Sequence, residues 1–275
     1  GVAGLQLQTL FRNPLAEPFV LGISAGASLG VALAVAAAAG STVGVFASGM
    51  SVAGRAGTVV AAALGAAAVM GAVLVLSHWA RSGVTLLIVG VMIGSLTAAA
   101  VNLIFTLVDP MRAQQFVIWS LGSFSATTAG DLVIFVPVVV VGLAVALAGV
   151  KPLNALLVGE DYARSLGVRV RRTRLVVLVS ASLLAGAVTA FCGPVAFLGM
   201  AVPHLARLAV GTSDHRVLMP TALLTGATVA LVCSVAANLP GSSPLPVNVI
   251  TSVVGAPVVI TVLLRSRRPV AGAVT

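Results

Sequence analysis

An all-α, polytopic membrane bundle is the fold class this sequence predicts, on three observations. Of 275 residues, 59% are hydrophobic and 8% charged. A soluble domain carries about a quarter charged residues, so this chain cannot cover a globular surface with polar groups and must have lipid as its solvent. The apolar residues fall into runs near the length of about 20 residues that a spanning helix needs. The basic residues, which set a formal net charge of +9, sit in short segments between those runs. That is a positive-inside pattern, and it removes nucleic acid as the reason for the charge.

Nine runs qualify: 1–11, 22–47, 57–77, 84–108, 131–150, 174–191, 195–210, 219–239 and 247–264. The first is short and starts at Gly1 with no signal-peptide pattern, so it is expected to be the end of a span that begins upstream. The run 195–210 is short and carries Pro203, His204 and Arg207, which predicts a broken or interfacial helix. Gly22, Gly26 and Gly30 recur every four residues, and Gly90 and Gly94 repeat the spacing on a face that continues to Ala98 and Asn102. Small residues on one stripe let helices approach closely in lipid. The 90–102 stripe either packs the bundle or lines a pathway with Asn102 as its polar group.

The turn Asn13-Pro14-Leu15-Ala16-Glu17-Pro18 ends the first run, because its two prolines disfavour continuation of a helix. Asn13 and Glu17 can bond the freed backbone groups. Gly193-Pro194 marks a second turn at the opposite face. Both turns share a Pro, a small residue and a later Leu-Gly pair, the faint mark of an inverted repeat.

Val158 to Val168 is where the chain stops being apolar. It holds Glu160 and Asp161, and Lys151, Arg164, Arg169, Arg171, Arg172 and Arg174 lie in or beside it. Gly159 interrupts the preceding run, Asp161 can cap a short helix beginning at Tyr162, and Gly167 is a natural stop after Leu166. The expected product is a compact helical knob, apolar through Tyr162, Ala163 and Leu166.

Alternation of nine spans with the C-terminal tail inside places 13 of the 15 basic residues inside and leaves Arg55 and Arg112 outside. Gly1 then lies at the outer face, and one further span upstream would bring the total to ten. Asp109 and Asp131 bracket Trp119 and the polar stretch 120–128, an outer loop or short surface helix.

Catalytic chemistry is missing from the sequence. It contains no GxxxxGK[ST], HExxH, CxxC or GxSxG pattern, so no enzyme activity is expected. Cys192 and Cys233 are too few for a disulfide framework or a metal site, and both read as small apolar residues. His78, His204 and His215 stand apart, as packing or interfacial residues. Paired carboxylates for proton coupling are not evident, which weighs against the alternative of an ion-gradient-driven secondary transporter.

Three ordered stretches resemble one family, the FecCD permeases of ATP-binding cassette importers for iron–siderophore complexes, haem and cobalamin. They are Leu5-Gln6 through Gly26-Ala27, including Arg12-Asn13-Pro14 and Pro18; Gly159 through Val168; and Gly193-Pro194 through Gly199, with Pro203-His204, Arg207 and Asp214-His215-Arg216. Leu245-Pro246-Val247 with Gly255-Ala256-Pro257 is a weaker fourth. The resemblance implies a type II importer permease of ten helices, one permease domain over 1–275, paired with a second permease in a homodimer or heterodimer in the plasma membrane. It implies an ATPase subunit inside and a substrate-binding protein outside. ATP and Mg would sit on the ATPase, and this chain would bind no cofactor and no metal of its own.

By the same resemblance, the cytoplasmic coupling segment is 152–172, with Gly159, Glu160, Asp161, Tyr162, Ala163, Arg164, Leu166 and Gly167 contacting the ATPase. Path residues are expected at Gly90, Gly94, Asn102, Asn248, Thr251 and Ser252. Structural motif positions are Asn13, Pro14, Pro18, Gly22, Gly26, Gly193, Pro194, Pro203 and His204. The chain departs from the family at Cys233 and Ala237, where many members have an Asp and an Arg, at Pro244, where they have an acid, and at Asn248, where they have Gly. The binding-protein docking residues are therefore not assigned.

Overall fold

The computed structural model describes residues 1–37, 52–77, 79, 83–125, 127–239 and 245–266. Residues 38–47 of the run 22–47, together with His78, Arg81, Pro244 and Arg267–Arg268, lie outside the described residues.

Twelve helices follow one another among the described residues: α1 Val2–Phe11, α2 Ile23–Ala37, α3 Val52–Ser77, α4 Gly83–Leu107, α5 Pro110–Ser120, α6 Ala129–Ala148, α7 Val150–Val158, α8 Glu160–Ser165, α9 Val170–Cys192, α10 Leu198–Val210, α11 His215–Asn238 and α12 Val247–Ser266. Five contain stretches long and apolar enough to cross a membrane, within α3, α4, α6, α9 and α11. Four shorter apolar helices, α1, α2, α10 and most of α12, complete the set of predicted runs. The polar stretch before α6 is preceded by the short helix α5, and Thr128 with Asp131 forms a capping box that starts α6.

The bundle is organised around α1. All ten of its residues are buried, including Gln6, Gln8 and Thr9. Gly4 brings it against α10 so closely that a Cβ there would overlap the Gly199 carbonyl. Around this core, α9 runs about 34 Å from the charged segment to the far end, by its rise of about 1.5 Å per residue.

Two helices start inside the bundle. After α1, Arg12 turns left-handed (φ 49°) and ends the helix. The chain then climbs through tight turns: Ala16 N donates to Asn13 O, Leu21 N to Pro18 O and Gly22 N to Phe19 O. Asn13 Oδ1 accepts from Leu15 N at 2.9 Å, as the sequence suggested. Only at Ile23 does α2 begin. The second break lies between Cys192 and Leu198, where Phe197 is also left-handed (φ 67°).

The two breaks meet. Pro18 and Glu17 lie against Gly199, and the Phe197 amide donates to the Glu17 carboxylate. The contact buries Glu17 and Ala16, whereas Arg12, Pro14, Leu15 and Phe19 of the first break stay exposed.

The glycine stripes divide their work differently from the sequence reading. Gly22 lies before α2 rather than on it, with φ 77°, and faces Gly94. Gly26 and Gly30 instead let α2 approach Gly65 and Ala61 on α3.

Candidate functional site

The charged segment folds as two short helices, α7 and α8. Gly159, with φ 139°, separates α7 from α8, and Gly167, with φ 80°, ends the knob. Both conformations are ones that side-chain-bearing residues rarely adopt. The helix α8 begins at Glu160 with Gly159 as its cap residue, two positions before the predicted start, and Asp161 makes no cap bond. Its carboxylate lies 3.4 Å from Arg164 instead, because three residues along a helix bring the two side chains together.

Glu160 fastens the knob to the bundle. Its Oε2 is 3.2 Å from Arg164 and its Oε1 is 3.4 Å from Arg174, whose side chain is buried in α9. The Arg164 pairs are open to water and contribute little; the Arg174 pair is shielded on one side. Ala163 is fully buried against the body. Tyr162 and Leu166 point away, 51% and 60% exposed. An aromatic and a leucine thus stand exposed on a charged tip.

Behind the knob lies a chain of polar contacts. Asn154 of α7 donates from Nδ2 to Asp214 Oδ1 at 2.6 Å and accepts at Oδ1 from the His215 amide at 2.9 Å. Its Oδ1 is also 2.8 Å from His215 Nδ1, and His215 Nε2 is 2.9 Å from Thr9 Oγ1 on α1. Asp214 caps α11 by accepting from Arg216 N. That bond and the one from Asn154 hold the Asp214 carboxyl below the usual carboxylate range. Further along α1, Gln8 accepts from Arg207 at 2.9 Å and donates to the Met200 carbonyl at 3.3 Å, so α10 is held twice. His204 Nε2 reaches the Pro14 carbonyl at 3.1 Å. Gln6 accepts from Ser180 of α9 at 2.9 Å.

The expected path residues occupy two places. On α4, Gly90 and Gly94 touch Leu21 and Gly22, while Asn102 is exposed. On α12, Asn248 Oδ1 accepts from Ala196 N at 3.3 Å, and both Thr251 and Ser252 donate to the Asn248 carbonyl. Asn248 belongs to a knot at the end remote from α8. Ser123 N donates there to Cys192 O, Val247 N to Gly122 O and Asn248 N to Leu121 O. Gly193 packs on Trp119 and Gly122 in the same knot, and Pro194 is buried beside it. The divergent Cys233 and Ala237 are both buried on one face of α11, and the two cysteines are free. Among the described residues no cluster of metal-ligating side chains occurs.

A membrane-spanning helical bundle with interrupted helices in its core and a charged, glycine-hinged knob at one end is the build of a transport permease. The comparisons place it further: residues 1–265 match the FecCD transport family, and the chain belongs to that family. It is 34% identical to the hemin transport system permease protein HmuU of Yersinia pestis, over 98% of this chain and 79% of that one. It is 36% identical to the cobalamin import system permease protein BtuC of Halobacterium salinarum, over 97% of this chain and 68% of that one. The ferric enterobactin transport system permease protein FepD of Escherichia coli shares 34% identity over 98% of this chain and 77% of its own. A solved metal-chelate type ABC transporter in an inward-facing conformation superimposes with a TM-score of 0.84 at 27% identity, covering 96% of this chain and 80% of that one.

Proposed function

We propose that this chain is the membrane permease subunit of an ATP-driven importer for an iron–siderophore complex or a related large metal chelate such as haem or cobalamin. The observation that carries the reading is the knob: α8 is held to the body by Glu160, Ala163 and Arg174, and presents Tyr162 and Leu166 outward. A separate ATPase receives the knob within the segment 152–172 and supplies all the chemistry, holding ATP and Mg itself. The basic block and the C-terminus face the cytoplasm, which follows the bias of basic residues. A second permease copy or paralogue completes the path, and an extracytoplasmic binding protein delivers the substrate. Ten spanning helices in the whole subunit fit the nine apolar runs present here.

The test is Leu166→Glu in the assembled importer. A charge at the tip is expected to abolish co-purification of the ATPase and chelate uptake while the permease still reaches the membrane. Unchanged association and uptake would remove the assignment.

A further inference from the structure

The contacts behind the knob can be given directions. Asn154 Oδ1 already accepts from the His215 amide, and its Nδ2 donates to Asp214, so its orientation is fixed. An acceptor 2.8 Å from Nδ1 requires the proton on Nδ1. His215 is fully buried, which favours the neutral ring, and Nε2 is then an acceptor. The Thr9 hydroxyl is 2.9 Å from Nε2 and 3.1 Å from the Leu5 carbonyl of its own helix, so its one proton is shared, with the shorter contact to Nε2. One directed chain results: Thr9 to His215 to Asn154 to Asp214, crossing from α1 through α11 to α7.

We infer that this chain is the link through which displacement of the α7–α8 segment reaches α1 and, through Gln8, α10. The inference rests on the proposed coupling role of α8 and names what lies behind it. Apolar side chains slide past one another at small cost, whereas a buried hydrogen-bonded group cannot part from its partner without leaving a polar atom unsatisfied. α7 is tied to the start of α11 by three bonds from the half-buried Asn154, and the fully buried His215 ties that start to Thr9. Next to Thr9 on α1, Gln8 holds Arg207 and the Met200 carbonyl, so α10 follows. Thr9, Asn154 and His215 are positioning residues, since none lies on the exposed face of the knob.

The test uses the full permease with its ATPase in proteoliposomes, Cys192 and Cys233 replaced by Ala, and spin labels at the exposed positions Lys151 on α7 and Leu208 on α10. MgATP with vanadate is the probe. The Lys151–Leu208 distance is expected to stay single and unchanged when the probe is added, because the two helices move as one body. A change of that distance in the otherwise unmodified protein would overturn the inference without any variant of the chain. Thr9→Val, which removes the donor at constant shape, is expected to broaden the distribution and lower the ATPase stimulation by binding protein about fivefold or more. Thr9→Ser should restore both. Thr9→Val behaving like the parent at equal membrane level would overturn it as well. Leu166→Glu runs alongside: if that variant keeps its ATPase, the coupling role itself fails, whatever the labels report.

Discussion

Helices α1 and α6 are both apolar by sequence, and they are built for opposite surroundings. α1 is buried at every one of its ten residues and keeps Gln6, Gln8 and Thr9 among them. α6 is longer and more hydrophobic, with mean hydropathy 2.7 over its window, yet only 11% of that window is buried. Burial in lipid is thus the reverse of burial in water. The most apolar helix faces the solvent, which is hydrocarbon, and the helix that carries amides and a hydroxyl occupies the centre, where other helices can answer them. The difference teaches that in this bundle an apolar sequence does not by itself predict burial, and that the buried polar groups of α1 sit among a mostly apolar core.

The largest way to break the comparison is Gly4→Val. A side chain there meets the Gly199 backbone and cannot be accommodated, so no folded protein is expected on size-exclusion chromatography in detergent. The matched change on α6, at Gly130, where the nearest foreign atom is 3.9 Å away, should leave the elution profile intact.

Gln8→Leu comes next. It adds apolar character to the core helix and should still destabilise it by about 2–3 kcal/mol, because Arg207 loses its acceptor in a part-buried site. Thermal unfolding of purified protein measures this, and an unchanged or raised midpoint would refute the account of α1.

A smaller effect is expected at Asp214. Its carboxyl is held below the usual range in the folded chain, so its contribution is present above the unfolded pKa and disappears as pH falls through the folded value. Asp214→Asn keeps a cap acceptor and should flatten the acid side of a stability–pH profile below about pH 4, the ordinary carboxylate range. A profile identical to that of the parent would show that the cap charge contributes nothing. The smallest effect belongs to Val133→Leu on α6, where the side chain is 74% exposed; less than about 0.5 kcal/mol is expected by the same thermal assay.

Much of the architecture was legible in the sequence because lipid leaves few options. Each of the nine apolar runs overlaps a helix among the described residues, five of them long and apolar enough to cross a membrane, and Asn13-Pro14 and Gly193-Pro194 mark the two breaks. The Gly159 and Gly167 punctuation also located the knob, although α8 starts at Glu160 and takes its cap from backbone geometry rather than from Asp161. What could not be read was partnership across the chain. Thr9 and His215 are 206 positions apart, and Gln8 and Arg207 are 199 apart. Gln6, Gln8 and Thr9 carried no periodic signal beyond being polar in an apolar run. That polarity was the available clue, since each such group in hydrocarbon demands an answer from another helix. Helix α7 went unread for a related reason: nine residues carry too few turns to separate an amphipathic helix from a loop. The Gly22-Gly26-Gly30 stripe misled because spacing alone cannot tell that the chain is not yet helical at Gly22.

The interruption before α10 also bears on how the chain is made. α10 has 13 residues, and Pro203, His204 and Arg207 lie within it. During synthesis such a segment is too short and too polar to leave the translocon for lipid by itself. It is expected to wait at the protein-conducting channel until α1, threaded long before, offers Gln8 to Arg207 and Gly4 to the backbone at Gly199. Insertion of α10 is then expected to follow contact and not emergence, with α1 acting as its receptor.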